Sequence, residues 1–191
     1  MRMICTLLIG TALALGSSFA LADEHAHGEA GTHAHMEMPK LGIAILVPTE
    51  GNKTRGMLRL SQMGKDLKIT GKIRNLTPGE HGFHIHEFGD LRSKDGTAAG
   101  GHFNPTGHEH GAPGEKSHVG DLGNITANEQ GVATVNIVSK DTPLGLILGR
   151  AFVVHAGKDD LKSQPSGDAG PRVATGVIGV GNPEFSAQPK N

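Results

Sequence analysis

The run from His81 to Asp121 constrains this chain more than any other stretch. It holds seven of the twelve histidines and reads HGFHIHEFGD, then GGHFNPTGHEHGAP, then SHVGDLG. His84 and His86 stand at i, i+2 in an alternating segment. On a strand this spacing turns both imidazoles to one face and sends Phe83 and Ile85 to the other. His102, His110, His118 and Asp121 follow among Gly, Pro and Asn, in segments suited to loops that wrap an ion. Imidazole suits copper and zinc, and three imidazoles with one carboxylate make a closed tetrahedral zinc set. The stretch predicts a metal centre, with two ions rather than one.

Such a centre needs a rigid frame, and the rest of the chain predicts strands. The 191 residues include 29 Gly and 10 Pro but no Trp or Tyr. Without a collagen period, that composition suits short strands joined by tight turns around a single core. Residues 41–47 form an apolar run, 56–61 follow, and 67–74 alternate apolar with polar. Gly64-Lys65-Asp66 and Thr77-Pro78-Gly79 are turns. Residues 122–126 and 132–138 read as a hairpin across Asn128-Glu129-Gln130-Gly131. Residues 144–148, 150–155 and 173–180 are expected to be further strands. Two long segments, 88–118 and 156–171, read as loops, and loops of that length in a compact domain are usually functional. No stretch carries a helical period over three turns. The class is all-β, with about eight short strands in a sandwich or barrel. A net charge of −1 gives no footing for bulk nucleic-acid binding.

The first 22 residues read as an export signal. Arg2 supplies the positive start, residues 4–15 an apolar stretch, and Ala20-Leu21-Ala22 a cleavage site. The apolar stretch is short and broken by Gly10 and Gly16, which argues against a retained membrane anchor. The chain is therefore expected outside the cytoplasm, in a periplasm or the extracellular space. Cleavage would remove Cys5, the only cysteine, and leave a chain without thiols. An exported domain without disulfides draws its stability from its core and its metals.

Residues 23–40 are polar and lack apolar periodicity, as expected of a disordered tail. They carry His25, His27, His33 and His35, followed by Met36 and Met38. After cleavage His25 would be third from a free amine, an arrangement that can wrap a square-planar Cu(II). The tail reads equally as a copper-gathering segment or as plain solvated chain. Residues 183–191 form a short C-terminal tail.

Five segments, GFHIHEFGD, GGHFNP, HVGDLGN, GRAFVVH and AGPRVATGVIGV, resemble those of copper/zinc superoxide dismutases in order and spacing, across residues 41–182. The resemblance implies an eight-stranded Greek-key β-barrel, a flattened sandwich with long metal-binding loops. It implies one copper per chain on His84, His86, His102 and His155, and one zinc on His102, His110, His118 and Asp121, with His102 bridging. Arg172 matches the arginine that attracts the anion. Asp159 matches the carboxylate that holds His84 and His110, with Asp160 as the neighbouring alternative. The implied reaction converts two superoxide anions and two protons to dioxygen and hydrogen peroxide. Copper can take and give one electron, whereas zinc cannot and is left to hold structure and charge. GVIGVG resembles the family's dimer contact, which implies a homodimer.

Three departures stand out. The positions matching the family's disulfide are Gly96 and Thr175. The loop before Arg172 is short, and its steering residues lack clear counterparts beyond Lys158 and Lys162. The spacing from His110 to His118 is one residue shorter than usual. A rival reading is a non-catalytic exported metal buffer or copper chaperone on the same barrel, and a plain β-sandwich with incidental metals is a more distant one. His81 is expected to be a structural hydrogen-bonder and His108 exposed. Asn52, Asn75 and Asn124 head N-x-T sequons, which matter only in a cell that glycosylates.

Overall fold

The computed structural model describes residues 37–114 and 116–185. The expected signal peptide, tail residues His25, His27, His33, His35 and Met36, and residues 186–191 lie outside the described residues. Met38 is 62% exposed, with its methyl group over Gly145. No described helix is long and apolar enough to cross a membrane.

Eight antiparallel strands close into one barrel: β1 (Leu41–Pro48), β2 (Arg55–Met63), β3 (Asp66–Arg74), β4 (Gly79–His86), β5 (Asp121–Ala127), β6 (Ala133–Ser139), β7 (Ala151–His155) and β8 (Arg172–Val180). Around the barrel they run β1-β2-β3-β6-β5-β4-β7-β8, with β8 back against β1. The jumps from β3 to β6 and from β4 to β7 make this the Greek key.

The two-residue period of the sequence sets the inside and the outside. Ala44 and Leu46, Leu58 and Leu60, Leu67, Ile69 and Ile73 point inward and are fully buried. Phe83 and Phe152, on neighbouring strands, stack at 5.1 Å between ring centroids in the same core. Closure pairs the strand edges around the barrel except along the β5–β6 seam, where the two strands meet at one position.

Two expectations need correction. Residues 144–148 are not a strand. Leu144–Ile147 is a single α-turn, α1, entered from Pro143 at φ −66. Its buried side chains, Leu144 and Ile147, are spaced i, i+3, which suits a turn of helix and puts a strand's side chains on opposite faces. The hairpin of β5 and β6 closes at one pair only, Ala127 with Ala133. Beyond it β6 turns away to pair with β3 from Ile73–Ala133 to Leu67–Ser139.

β4 is buried on both faces. Phe83 and Ile85 enter the core, and His84 and His86 face outward beneath the β4–β5 connection. A bulge interrupts the β4–β5 pairing between Gly82 and His84, and another the β7–β8 pairing at His155. Bulges re-aim side chains, and these two lie beside histidines of the centre.

Candidate metal centre

The β4–β5 connection folds back as an extra layer on His84 and His86. Ile85 N donates to Gly120 O at 2.9 Å and Phe103 N to Ile85 O at 2.8 Å. His102 forms an isolated bridge with His86. The chain thereby carries His102, His110 and His118 from the loop onto a strand face, and His155 arrives from the end of β7 beside β4.

Two groups result: His84, His86, His102 and His155, and His102, His110, His118 and Asp121. In each, the candidate ligand atoms all lie within 4.8 Å of one another, and all seven residues are buried. His102 belongs to both. Every position the sequence nominates within the barrel for metal is brought into one of these groups.

The ring nitrogens divide by role. His84 Nε2 lies 2.7 Å from Asp159 Oδ2, His86 Nδ1 2.9 Å from Gly100 O, and His155 Nδ1 2.9 Å from Gly170 O. Each donates there, which fixes the tautomer and leaves the other nitrogen's lone pair for the site. Those other atoms, His84 Nδ1, His86 Nε2 and His155 Nε2, are buried with no hydrogen-bond partner, as is His102 Nε2. A buried polar atom without a partner is costly, and four converging ones call for a cation.

Asp121 organises the second group. Its Oδ1 lies 2.7 Å from His102 Nδ1, 3.0 Å from His110 Nδ1 and 3.2 Å from His118 Nδ1, the last without a hydrogen bond. Its Oδ2 accepts from the Gly111 and His118 amides. Separations near 3 Å from one carboxylate oxygen to three ring nitrogens, with all four donors within 4.8 Å of one another, suit ligands around a small tetrahedral ion with bonds of about 2 Å. The residues present fit copper and zinc.

Electrostatics favours the metal-binding protonation states. Burial pushes His84 down to about 4 and His155 down to about 3, and holds His86 well below the ordinary histidine value. All three rings are neutral at pH 7, as ligation needs. Burial works to raise Asp121, but hydrogen bonds from His102 and the Gly111 amide outweigh it and bring it to about 2.

Arg172, at the start of β8, donates Nη1 to Gly96 O and Nη2 to Gly100 O at 2.6 Å. Asp159 Oδ2 meets His84, and its Oδ1 meets His110 Nε2 at 3.0 Å. Asp160 instead caps its own loop, accepting from the Lys162 and Ser163 amides. Lys158 pairs with Glu80 at 2.7 Å. His81 bridges strands, with Nδ1 2.8 Å from His155 O and Nε2 2.9 Å from Thr77 O. His108 is exposed, within 3.2 Å of Ser117 O.

Two supporting residues escape sequence reasoning. The Asn124 amide pairs with both backbone groups of Asp159, each at 2.8 Å. Gln164 does the same for His110. Their roles come from chain folding over intervals of 35 and 54 residues, which no local pattern encodes.

A closed Greek-key barrel carrying two fused histidine clusters on its outer face defines a two-metal β-barrel protein. Residues 54–178 match the family model for copper/zinc superoxide dismutase (SODC). The chain is 45% identical over 157 residues to the copper–zinc superoxide dismutase 3 of Arabidopsis thaliana, covering 76% of this chain and 95% of that one. The crystal structure of the clock protein EA4 superposes with a TM-score of 0.69 at 38% identity, over 78% of this chain and 99% of the other. The chain belongs to the copper/zinc superoxide dismutase family. It is an oxidoreductase acting on superoxide, with copper and zinc as its metals.

Proposed function

We propose that His84 Nδ1 and the Nε2 atoms of His86, His102 and His155 hold the copper, and that the Nδ1 atoms of His102, His110 and His118 with Asp121 Oδ1 hold the zinc. The four unpartnered buried nitrogens around His102 carry this reading. When bound, copper supplies reversible one-electron exchange and zinc a fixed structural charge. Arg172, gripped by two carbonyls, offers a rigid planar cation to a small anion, which a lysine would offer less rigidly. His102 alone has a nitrogen in each cluster, so its Nε2 is where a proton can be taken up and returned. Asp159 ties His84 to His110 and holds both rings in register.

The chain loaded with both metals should dismutate superoxide, and His84→Ala should abolish turnover. Stoichiometric metal binding without turnover would instead favour a buffer or chaperone.

The finer cellular reading rests on the sequence. Residues 1–22 direct export to a periplasm or the extracellular space, and cleavage leaves a thiol-free, disulfide-free enzyme. The histidines and methionines of residues 23–38 gather copper, so deleting them should slow copper loading at low copper and leave turnover of the loaded enzyme intact. The barrel pairs as a homodimer through an exposed apolar patch. Ile45 lies opposite Met57, Val47 opposite Thr175, and Val177, two residues further along β8, lies by Gly89, the chain neighbour of the exposed Phe88. Sedimentation equilibrium with Ile45→Lys tests this, since a wild-type monomer would remove it.

A further inference from the structure

The loop over residues 156–171 reaches the zinc-side cluster at three points. The carboxylate of Asp159 bonds His110 Nε2. Gly167, at φ +71, lies so close that a Cβ there would fall 1.8 Å from Asp159 Oδ1 and 2.6 Å from His110 Nε2. The third point is Gln164. Its Oε1 accepts from His110 N at 2.9 Å and its Nε2 donates to His110 O at 2.9 Å. One side-chain amide thus closes both backbone hydrogen bonds of a residue in the metal centre, as a neighbouring strand would. The Nε2 also reaches Lys162 O at 3.2 Å.

The segment needs such an anchor. Leu161 sits at φ 63 and Asp168 at φ 51, in the left-handed region that non-glycine residues avoid. Leu161 N bonds Asp159 Oδ1 from that position. Strained residues persist only where their surroundings over-determine them. The His110 segment gains equally, for it is a Gly/Pro-rich loop that pairs with no strand among the described residues.

We propose that Gln164 is a positioning residue for the zinc site: by clamping the His110 backbone it sets that imidazole against Asp121 and Asp159, and so controls how long zinc is retained. This rests on the assignment of zinc to His102, His110, His118 and Asp121. The clamp also links the zinc loop to the loop that leads into Arg172, so loss of zinc should loosen both.

The test uses the full holo chain with Gln164→Met, which keeps length and apolar bulk but neither bond, and Gln164→Glu, which keeps the acceptor for His110 N and loses the donor. Zinc release to a chelator is timed, copper release is timed in parallel, and Co(II) is placed in the zinc site for its absorption spectrum. Zinc should leave about tenfold faster from the Met variant, in line with outer partners of metal ligands, with Glu between Met and wild type. The Co(II) bands should shift while copper release stays unchanged. A lowered melting temperature with unaltered zinc release and Co(II) bands would overturn the proposal and leave Gln164 a merely structural residue. A wild-type chain that takes up no Co(II) or zinc would sink the zinc assignment itself, a different failure. Should the Met variant not fold, the Glu variant alone decides, since equal zinc retention in it and in wild type contradicts a two-bond clamp.

Discussion

Arg172 and His86 share one acceptor. The carbonyl oxygen of Gly100 lies 2.6 Å from Arg172 Nη2 and 2.9 Å from His86 Nδ1. A side chain proposed to attract the substrate and one proposed to bind copper are therefore held in register by a single loop atom. The second prong of the guanidinium goes to Gly96 O. A lysine can place a charge here but has only one flexible nitrogen, not a rigid planar fork with a separate nitrogen for each carbonyl. Arg172→Lys should keep its full metal content while kcat/KM falls about tenfold, the low end of what a focused charge adds to encounter rates. Pulse radiolysis on metal-loaded wild type and variant measures this. An unchanged rate would show that the charge matters and its anchoring does not.

Asp159 is an equally exacting bridge. Each carboxylate oxygen accepts from a different imidazole, His84 on one side and His110 on the other. Asp159→Asn keeps the shape but replaces one acceptor with an NH2 group, which faces an N–H it cannot accept. One ring must rotate or change tautomer. Metal affinity should fall by about 10- to 100-fold, more for zinc than for copper, because His110 reaches the loop through this contact. Competition with a chromophoric chelator gives both constants. Equal loss for both metals would mean that the bridge serves the two rings alike, and a greater loss of copper would assign it to His84 instead.

Much of this centre was legible in the chain because strand geometry is local. The i, i+2 spacing of His84 and His86, opposite Phe83 and Ile85, already separates a metal face from a core face. Asp121, His118 and His110 could be nominated because carboxylate and imidazole in glycine-rich loops have few other uses in such density. Local pattern failed where the decisive partner is distant. Residues 144–148 look like strand material, yet Leu144 and Ile147 bury together on one helical turn against the barrel. Asn124 shows nothing locally but a glycosylation sequon, and Gln164 shows nothing at all. Both act on backbone groups that only the folded loops bring near. Asp159 and Asp160 were separable only through their surroundings, since one faces two rings and the other its own turn.

Gly96 and Thr175 face each other across the loop and β8. A Cβ built on Gly96 falls 2.9 Å from Thr175 Cγ2, close to the Cβ-to-Sγ separation across a disulfide, about 3 Å. The double variant Gly96→Cys/Thr175→Cys should therefore oxidise without moving the backbone. Closing so long a loop is worth about 4 kcal/mol in the chain-entropy estimate. Gly96 sits at φ 80, and a side chain there costs about 1–2 kcal/mol. In urea unfolding the oxidised double variant should gain about 4 kcal/mol over its reduced form, and about 2 kcal/mol over the wild type, which has no side chain at residue 96. No gain would mean that hydrogen bonds such as Glu50 N to Lys94 O already restrain the loop fully.

Acid should act on the metal-free protein through its buried histidines. Burial holds His84 at about 4 and His155 at about 3, against an unfolded value of 6.5. Between these limits the unfolded chain binds protons that the folded chain refuses, so stability falls as pH falls. The contribution is fully present above about pH 6.5 and shrinks progressively down to about pH 3–4, where the folded rings protonate too. Bound metals oppose this, because they occupy the same nitrogens and bind only the folded arrangement. The chelated protein should accordingly melt lower than the loaded one at pH 7.5, and its melting temperature should drop further from pH 7 to pH 5. The loaded protein should hold steady until protons displace its metals. Thermal denaturation followed by circular dichroism at pH 7.5, 6 and 5, with and without chelator, measures both effects. Equal melting temperatures with and without chelator would refute metal-linked stability, and a pH-independent apo melt would mean that these rings are solvated once the metals leave.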